Sequence, residues 1–131
     1  MYYNKGEYSK ALSYYEKALE IQQKTLPPTH PDLGSSYYNI GSLYDDMGEY
    51  SKALSSFEKD LEISQKTLPS THPHLAKSYN NIGGVYFNTG EYSKAVLSYE
   101  RAVDIGQQSL PKDHPLFQGW RKNLDLVKKK L

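Results

Sequence analysis

The hexapeptide Gly-Glu-Tyr-Ser-Lys-Ala begins at Gly6, at Gly48 and again at Gly90, so the chain repeats itself every 42 residues. Units this alike must bury surfaces that are alike, which restricts the fold to an array in which each unit packs on its neighbours. Between residues 6–47 and 48–89, 28 of 42 positions are identical, and the junction Thr29-His30-Pro31 returns as Thr71-His72-Pro73. Interchangeable units offer a long surface rather than one deep cleft assembled from unlike parts.

Within each unit the apolar spacing is helical. Tyr50, Ala53, Leu54, Phe57, Leu61 and Ile63 form one stripe. Tyr8, Ala11, Leu12, Tyr15, Ala18 and Leu19 repeat it upstream, and Tyr92, Ala95, Val96, Tyr99, Ala102 and Val103 repeat it downstream. A second helical segment lies between these, with Leu33, Tyr37, Ile40, Gly41 and Tyr44 in one copy and Leu75, Tyr79, Ile82, Gly83 and Tyr86 in the next. A mid-helix glycine costs roughly 1 kcal/mol against alanine, so Gly41 and Gly83 point to helices approaching too closely for a side chain. Pro31, Pro73 and Pro115 suit a first helical turn, with Thr29 and Thr71 upstream as expected caps. Gly48 and Gly90 mark the stops of these proline-started helices, the first of each pair, and Leu26-Pro27, Leu68-Pro69 and Leu110-Pro111 those of the second. The expectation is helix–turn–helix throughout, all-α, without a strand.

Tyr37-Tyr38-Asn39-Ile40-Gly41-Ser42-Leu43-Tyr44, followed by Gly48-Glu49-Tyr50-Ser51-Lys52-Ala53 and Phe57, resembles the tetratricopeptide repeat. That family shows a common period of 34 residues. The eight extra residues here fall around Gln65 to Pro73, and this longer form is similar to the repeats of kinesin light chain and its relatives. Asp60 departs from the pattern, standing where Ala18 and Ala102 stand in the sister copies. The resemblance implies a right-handed α-solenoid of stacked antiparallel helix pairs, taken as a single array over 1–131. Residues 1–29 would be a partial first repeat, 30–71 and 72–113 full repeats, and 114–131 a lone first-type helix. Tyr2 would match Tyr44 in the last turn of a first-type helix, leaving the N-terminal end uncapped. At the other end, Arg121, Asp125 and Lys128 replace Tyr37, Gly41 and Tyr44, the polar outward side a capping helix requires.

The resemblance also implies a concave groove lined by the first helix of each pair, where extended peptides are held. Asn39 and Asn81 match the family's groove asparagine, and Asn123 follows 42 residues later. An amide carries both donor and acceptor and so suits a peptide backbone whatever its side chains. The competing reading has these asparagines capping turns or bonding within their own repeat. Tyr38, Asn80, Asp45, Asp46 and Asn88 occupy neighbouring positions that vary between copies. Lys77 and Lys122 set a basic end against the acidic pair Asp45 and Asp46, which points to a peptide bound with defined polarity.

Other chemistries find little support. Sixteen basic and 15 acidic residues give a net charge of +1, so no nucleic-acid partner is expected. The run Lys128-Lys129-Lys130 lacks apolar anchors and reads as a solvated helix end rather than a membrane contact. With no cysteine and no stretch near the ~20 apolar residues of a membrane span, an intracellular, cytoplasmic home is the default. His30, His72 and His114 sit one per repeat, too far apart to share a zinc ion at ~2 Å, and are expected to cap or pack. Phosphate loops, metalloprotease pairs and nucleophile elbows are missing, so neither an enzyme nor a cofactor is expected. The leading expectation is a peptide- or protein-binding scaffold. The alternative is a structural segment that self-associates end to end through the uncapped N-terminal helix.

Overall fold

A computed structural model describes residues 5–131 and contains six helices: α1 (Lys5–Thr25), α2 (Pro31–Asp46), α3 (Tyr50–Thr67), α4 (Pro73–Asn88), α5 (Tyr92–Ser109) and α6 (Pro115–Lys128). No strand occurs among the described residues. The expected register of Tyr2 with Tyr44 lies outside them.

Helix boundaries follow from local chemistry that recurs with the period. α2, α4 and α6 each start on a proline, whose missing N–H would have no partner in a first turn. The residue that caps them is the histidine and not the threonine before it. Nδ1 of His30, His72 and His114 accepts the backbone N–H of Asp32, His74 and Leu116, each at 3.1 Å. The three imidazoles therefore serve the helices, and no group of three or more metal-ligating side chains forms among the described residues. Replacing His72 by alanine is expected to cost about 1 kcal/mol, as loss of an N-cap does, while asparagine at the same position retains stability. Chemical denaturation of the two variants checks this.

The opposite ends of α2 and α4 close in the same way as one another. Gly48 at φ 78° and Gly90 at φ 81° take the left-handed conformation that side chains disfavour. They let Gly48 and Glu49 donate back to Asp45 and Tyr44, and Gly90 and Glu91 to Phe87 and Tyr86. This crossed pair of bonds is the Schellman closure. α1, α3 and α5 stop before a Leu-Pro pair instead, and their last residues Thr25, Thr67 and Ser109 turn a hydroxyl onto the carbonyl four residues back. Pro27, Pro69 and Pro111 then accept the N–H of the capping histidine, which fixes the turn into the next helix.

The chain divides into two compact units, Met1–Thr67 and Leu68–Leu131. In the first, α2 packs along α3 and also meets α1. A Cβ on Gly41 would lie 2.9 Å from the Phe57 ring, the close approach read from the sequence. Tyr38 meets the same ring edge-on, with centroids 6.1 Å apart. The departure at Asp60 has a local partner. Asp60 is fully buried, its Oδ1 accepts the Ser64 hydroxyl at 3.2 Å, and a Cβ on Gly34 would come within 3.1 Å of that oxygen. Where α3 carries Asp60, α2 carries Gly34; where α5 carries Ala102, α4 carries Ala76. The larger side chain on one helix is matched by a missing one on the other.

The second unit repeats the arrangement with α4 on α5 and α6 against α5. Gly83 sits on Tyr99, where a Cβ would lie 2.7 Å from the ring. Gly106 in turn admits Phe117 and Trp120, whose rings would stand 2.7 and 3.0 Å from an added Cβ. In the first unit the position equivalent to Gly106 is Gln22 and that of Trp120 is Ser36, and these two side chains are hydrogen-bonded. One contact is thus filled by a polar pair in one unit and by glycine beneath indole in the other.

Candidate functional site

The candidate groove residues stand on the first-type helices α2, α4 and α6, and the two units contribute separate sets. In the first unit, Tyr38, Asn39 and Asp45 are half-buried and Asp46 is exposed at the end of α2. Tyr38 divides its surface between solvent and the Phe57 ring, so it is as much a packing residue as a groove residue.

In the second unit, α4 presents Lys77, Asn80 and Asn81 half-buried and Asn88 exposed, while α6 presents Lys122 exposed and Asn123 half-buried. Asn80 and Asn123 come together: the Asn123 amide donates to Asn80 Oδ1 at 2.9 Å. The bond joins first-type helices that fall in successive repeats of the expected division, so it is not the bonding within one repeat that the competing reading expected. It leaves the Asn80 amide N–H and the Asn123 carbonyl oxygen with capacity for a ligand. Asn81 differs, because its Nδ2 is buried and has no hydrogen-bond partner among the described residues. A buried donor without an acceptor costs ~1–3 kcal/mol.

A second set of contacts repeats on the far side of these helices and escaped the sequence reading. Lys52 and Lys59 lie over the rings of Tyr44 and Tyr37 at 5.6 and 5.2 Å. In the second unit Lys94 and Arg101 lie over Tyr86 and Tyr79 at 5.6 and 5.3 Å. Each helix pair is clamped by two cation–π contacts seven residues apart. The signal was available in the lysine of the repeated hexapeptide, which the helical stripe alone leaves on the polar face. The Tyr44 hydroxyl also donates to Glu16 at 3.3 Å. Burial, reinforced by the Glu16 carboxylate, raises its pKa above the ordinary tyrosine value of 10.0, because a phenolate there would be poorly hydrated and repelled. Side pockets include one of 220 Å³ beside Pro28, Tyr37 and Lys66 and one of 400 Å³ beside Leu110, Lys112 and Arg121.

Helix pairs with a glycine seated under an aromatic ring, repeated with the sequence period and without a strand among the described residues, define an α-helical repeat protein of the solenoid class. The chain belongs to the tetratricopeptide repeat family, whose model matches residues 1–66 and 52–108. Solved structures agree. A protein from Podosopora anserina assigned as a kinesin light chain, with nearly identical TPR-like repeats, superposes with a TM-score of 0.86 at 27% identity over 95% of this chain and 59% of that one. BtubC (BKLC) from P. vanneervenii gives a TM-score of 0.87 at 23% identity, covering 95% of this chain and 50% of that one. The Sgt2 TPR domain from Aspergillus fumigatus gives 0.67 at 22% identity, covering 95% and 68%. The chain thus spans between half and three-fifths of the first two. No curated protein sequence matches it significantly. Repeats of this family generally mediate protein–protein interactions and are generally non-enzymatic scaffolds. None of the described helices is long and apolar enough to cross a membrane.

Proposed function

We propose that this chain recruits a partner protein by holding an extended peptide segment against its first-type helices. Tyr38, Asn39, Asp45 and Asp46 serve in one unit, and Lys77, Asn80, Asn81, Asn88, Lys122 and Asn123 in the other. The observation that carries this reading is the cluster of amides on α4 and α6. Asn80 and Asn123 orient one another through their bond, which lowers the entropy lost when a peptide backbone is gripped. The unmatched Asn81 Nδ2 is a donor that a peptide carbonyl satisfies once the amide turns outward about χ2.

Asn81→Ala separates this role from a structural one. Removing a donor that has no partner is expected to leave stability unchanged or slightly higher, while peptide affinity falls by roughly tenfold for one charge-free hydrogen bond of ~1.4 kcal/mol. A screen of immobilised peptides and cell lysate against the wild type and the Asn39/Asn81/Asn123→Ala variant, with circular dichroism on both, finds the ligand. Captured peptides are then titrated against Asn81→Ala alone. Retained binding by the triple variant sinks the groove reading, and a marked stability loss in Asn81→Ala makes that residue structural.

A further inference from the structure

Repeats this alike carry a hazard. Leu33, Ile40 and Gly41 of α2 recur as Leu75, Ile82 and Gly83 of α4, and Lys52 and Ala53 of α3 recur as Lys94 and Ala95 of α5. These shared residues suit either partner, and nothing in them tells α2 from α4. By them alone, α4 of a second copy fits the seat of α2 on α3, a pairing shifted by one period. Misassembly of this kind is a characteristic failure of repeat chains.

The residues that differ between the two helix pairs are matched across each pair. Asp60 of α3 is wholly buried, and its Oδ1 accepts the Ser64 hydroxyl at 3.2 Å. Gly34 of α2 faces it, and a Cβ there would stand 3.1 Å from that oxygen. In the second unit the corresponding residues are Ala76 and Ala102, both fully buried. The aromatic seat trades bulk in the same sense. Tyr99 sets its hydroxyl 3.7 Å from a would-be Cβ on Gly84, whereas α2 carries Ser42 at that place and α3 carries Phe57, which has no hydroxyl.

We propose that Gly34 with Asp60 and Ala76 with Ala102, seconded by Ser42 with Phe57 and Gly84 with Tyr99, form a register key. The key reserves α3 for α2 and keeps α4 of a second copy from docking there. Ala76 brought over Asp60 presses a methyl group onto an enclosed carboxylate, which cannot swing aside without giving up its bond to Ser64. Gly34 brought over Ala102, in the converse half of the exchange, leaves a methyl-sized void. Both halves of an exchange between copies are penalised while both native pairs fit, and specificity is that difference.

Two experiments on the whole chain test the key. Gly34→Ala is expected to lower the folding equilibrium constant roughly tenfold, as overpacking does. With Asp60→Ala also present, the same change should raise that constant by up to about fivefold, because helix propensity then acts alone. Urea denaturation reads both signs, and a loss of equal size in the two backgrounds overturns the proposal.

The second experiment reads the pairing itself. The chain contains no cysteine, so Lys52→Cys in one preparation and Tyr86→Cys in a size-tagged other report α4 of one copy on α3 of another. The native counterpart of that contact sets Lys52 over Tyr44. The two proteins are mixed in urea, refolded together by dilution and oxidised. With the key intact, the mixed disulfide should stay at the level of proteins refolded separately and then combined. It should rise by about fivefold or more when the Lys52→Cys chain also carries Gly34→Ala and Asp60→Ala, the alanine pair of the second unit. Val127→Ala in the same chain is the control, since it empties a fully buried position in the other unit. A mixed disulfide unchanged by removing the key overturns the proposal, and so does an equal rise with Val127→Ala, which traces the exchange to lost stability instead of pairing.

Discussion

Gly83→Ala is expected to destabilise the protein by about 1–3 kcal/mol, the cost of overpacking, at a position where helix propensity alone favours alanine by roughly 1 kcal/mol. The sign is set by 2.7 Å. That is the distance between the added Cβ and the Tyr99 ring, and carbon atoms prefer about 3.5–4.0 Å. Tyr99 is almost wholly buried, so its ring has no open space into which to retreat, and the added methyl forces α4 away from α5. Gly119 supplies the control. It lies in α6 and an added Cβ there meets nothing within 4 Å, so Gly119→Ala should stabilise by the propensity difference of about 0.5–1 kcal/mol. Urea denaturation of both variants, followed by far-ultraviolet circular dichroism, gives the two midpoints. Midpoints that move in the same direction would refute the account of Gly83 as a contact glycine.

Phe57→Ala should be the most damaging single truncation, at about 3–5 kcal/mol. Its ring is 1% exposed, rests on Gly41 and receives the edge of Tyr38. Collapse around the hole is hindered because the residue facing it is a glycine with no side chain to move inward. The loss therefore contains a cavity contribution as well as the transfer free energy of the ring. Against a typical total of about 5–15 kcal/mol, this threatens the folded state itself. Tyr15→Ala makes a similar truncation at the equivalent place on α1, where the ring is only half-buried, and is expected to cost no more than about 1–2 kcal/mol. Equal losses in the two variants would mean that α1 is covered as α3 is, and thermal melts at several protein concentrations distinguish these cases.

Much of the fold was legible because its determinants are local or periodic. Helix starts at Pro31, Pro73 and Pro115 and stops at Gly48 and Gly90 depend on backbone conformations that proline and glycine impose wherever they occur. The histidine caps were half visible: one histidine per repeat at a helix start pointed to capping or packing, but threonine was the expected cap by residue preference. The geometry favours histidine because the proline that follows places its imidazole over the first free N–H groups. Of the site, the positions of the asparagines along their helices could be read. The partnership of Asn123 with Asn80, and the missing partner of Asn81, could not, since an amide's bonds depend on side chains 43 residues away in one case and on burial in the other.

The amino-acid sequence by itself determined the repeat length, the six helices, the glycine seats at Gly41 and Gly83 and the family, because each is written in spacing that survives without knowledge of any partner. The tertiary structure decided how unlike residues compensate: Asp60 with Gly34, Gly106 with Trp120, and the lysines of the repeated hexapeptide with tyrosine rings on the facing helix. Burial and pairing are properties of facing surfaces, so such compensations appear only when the neighbours are in place.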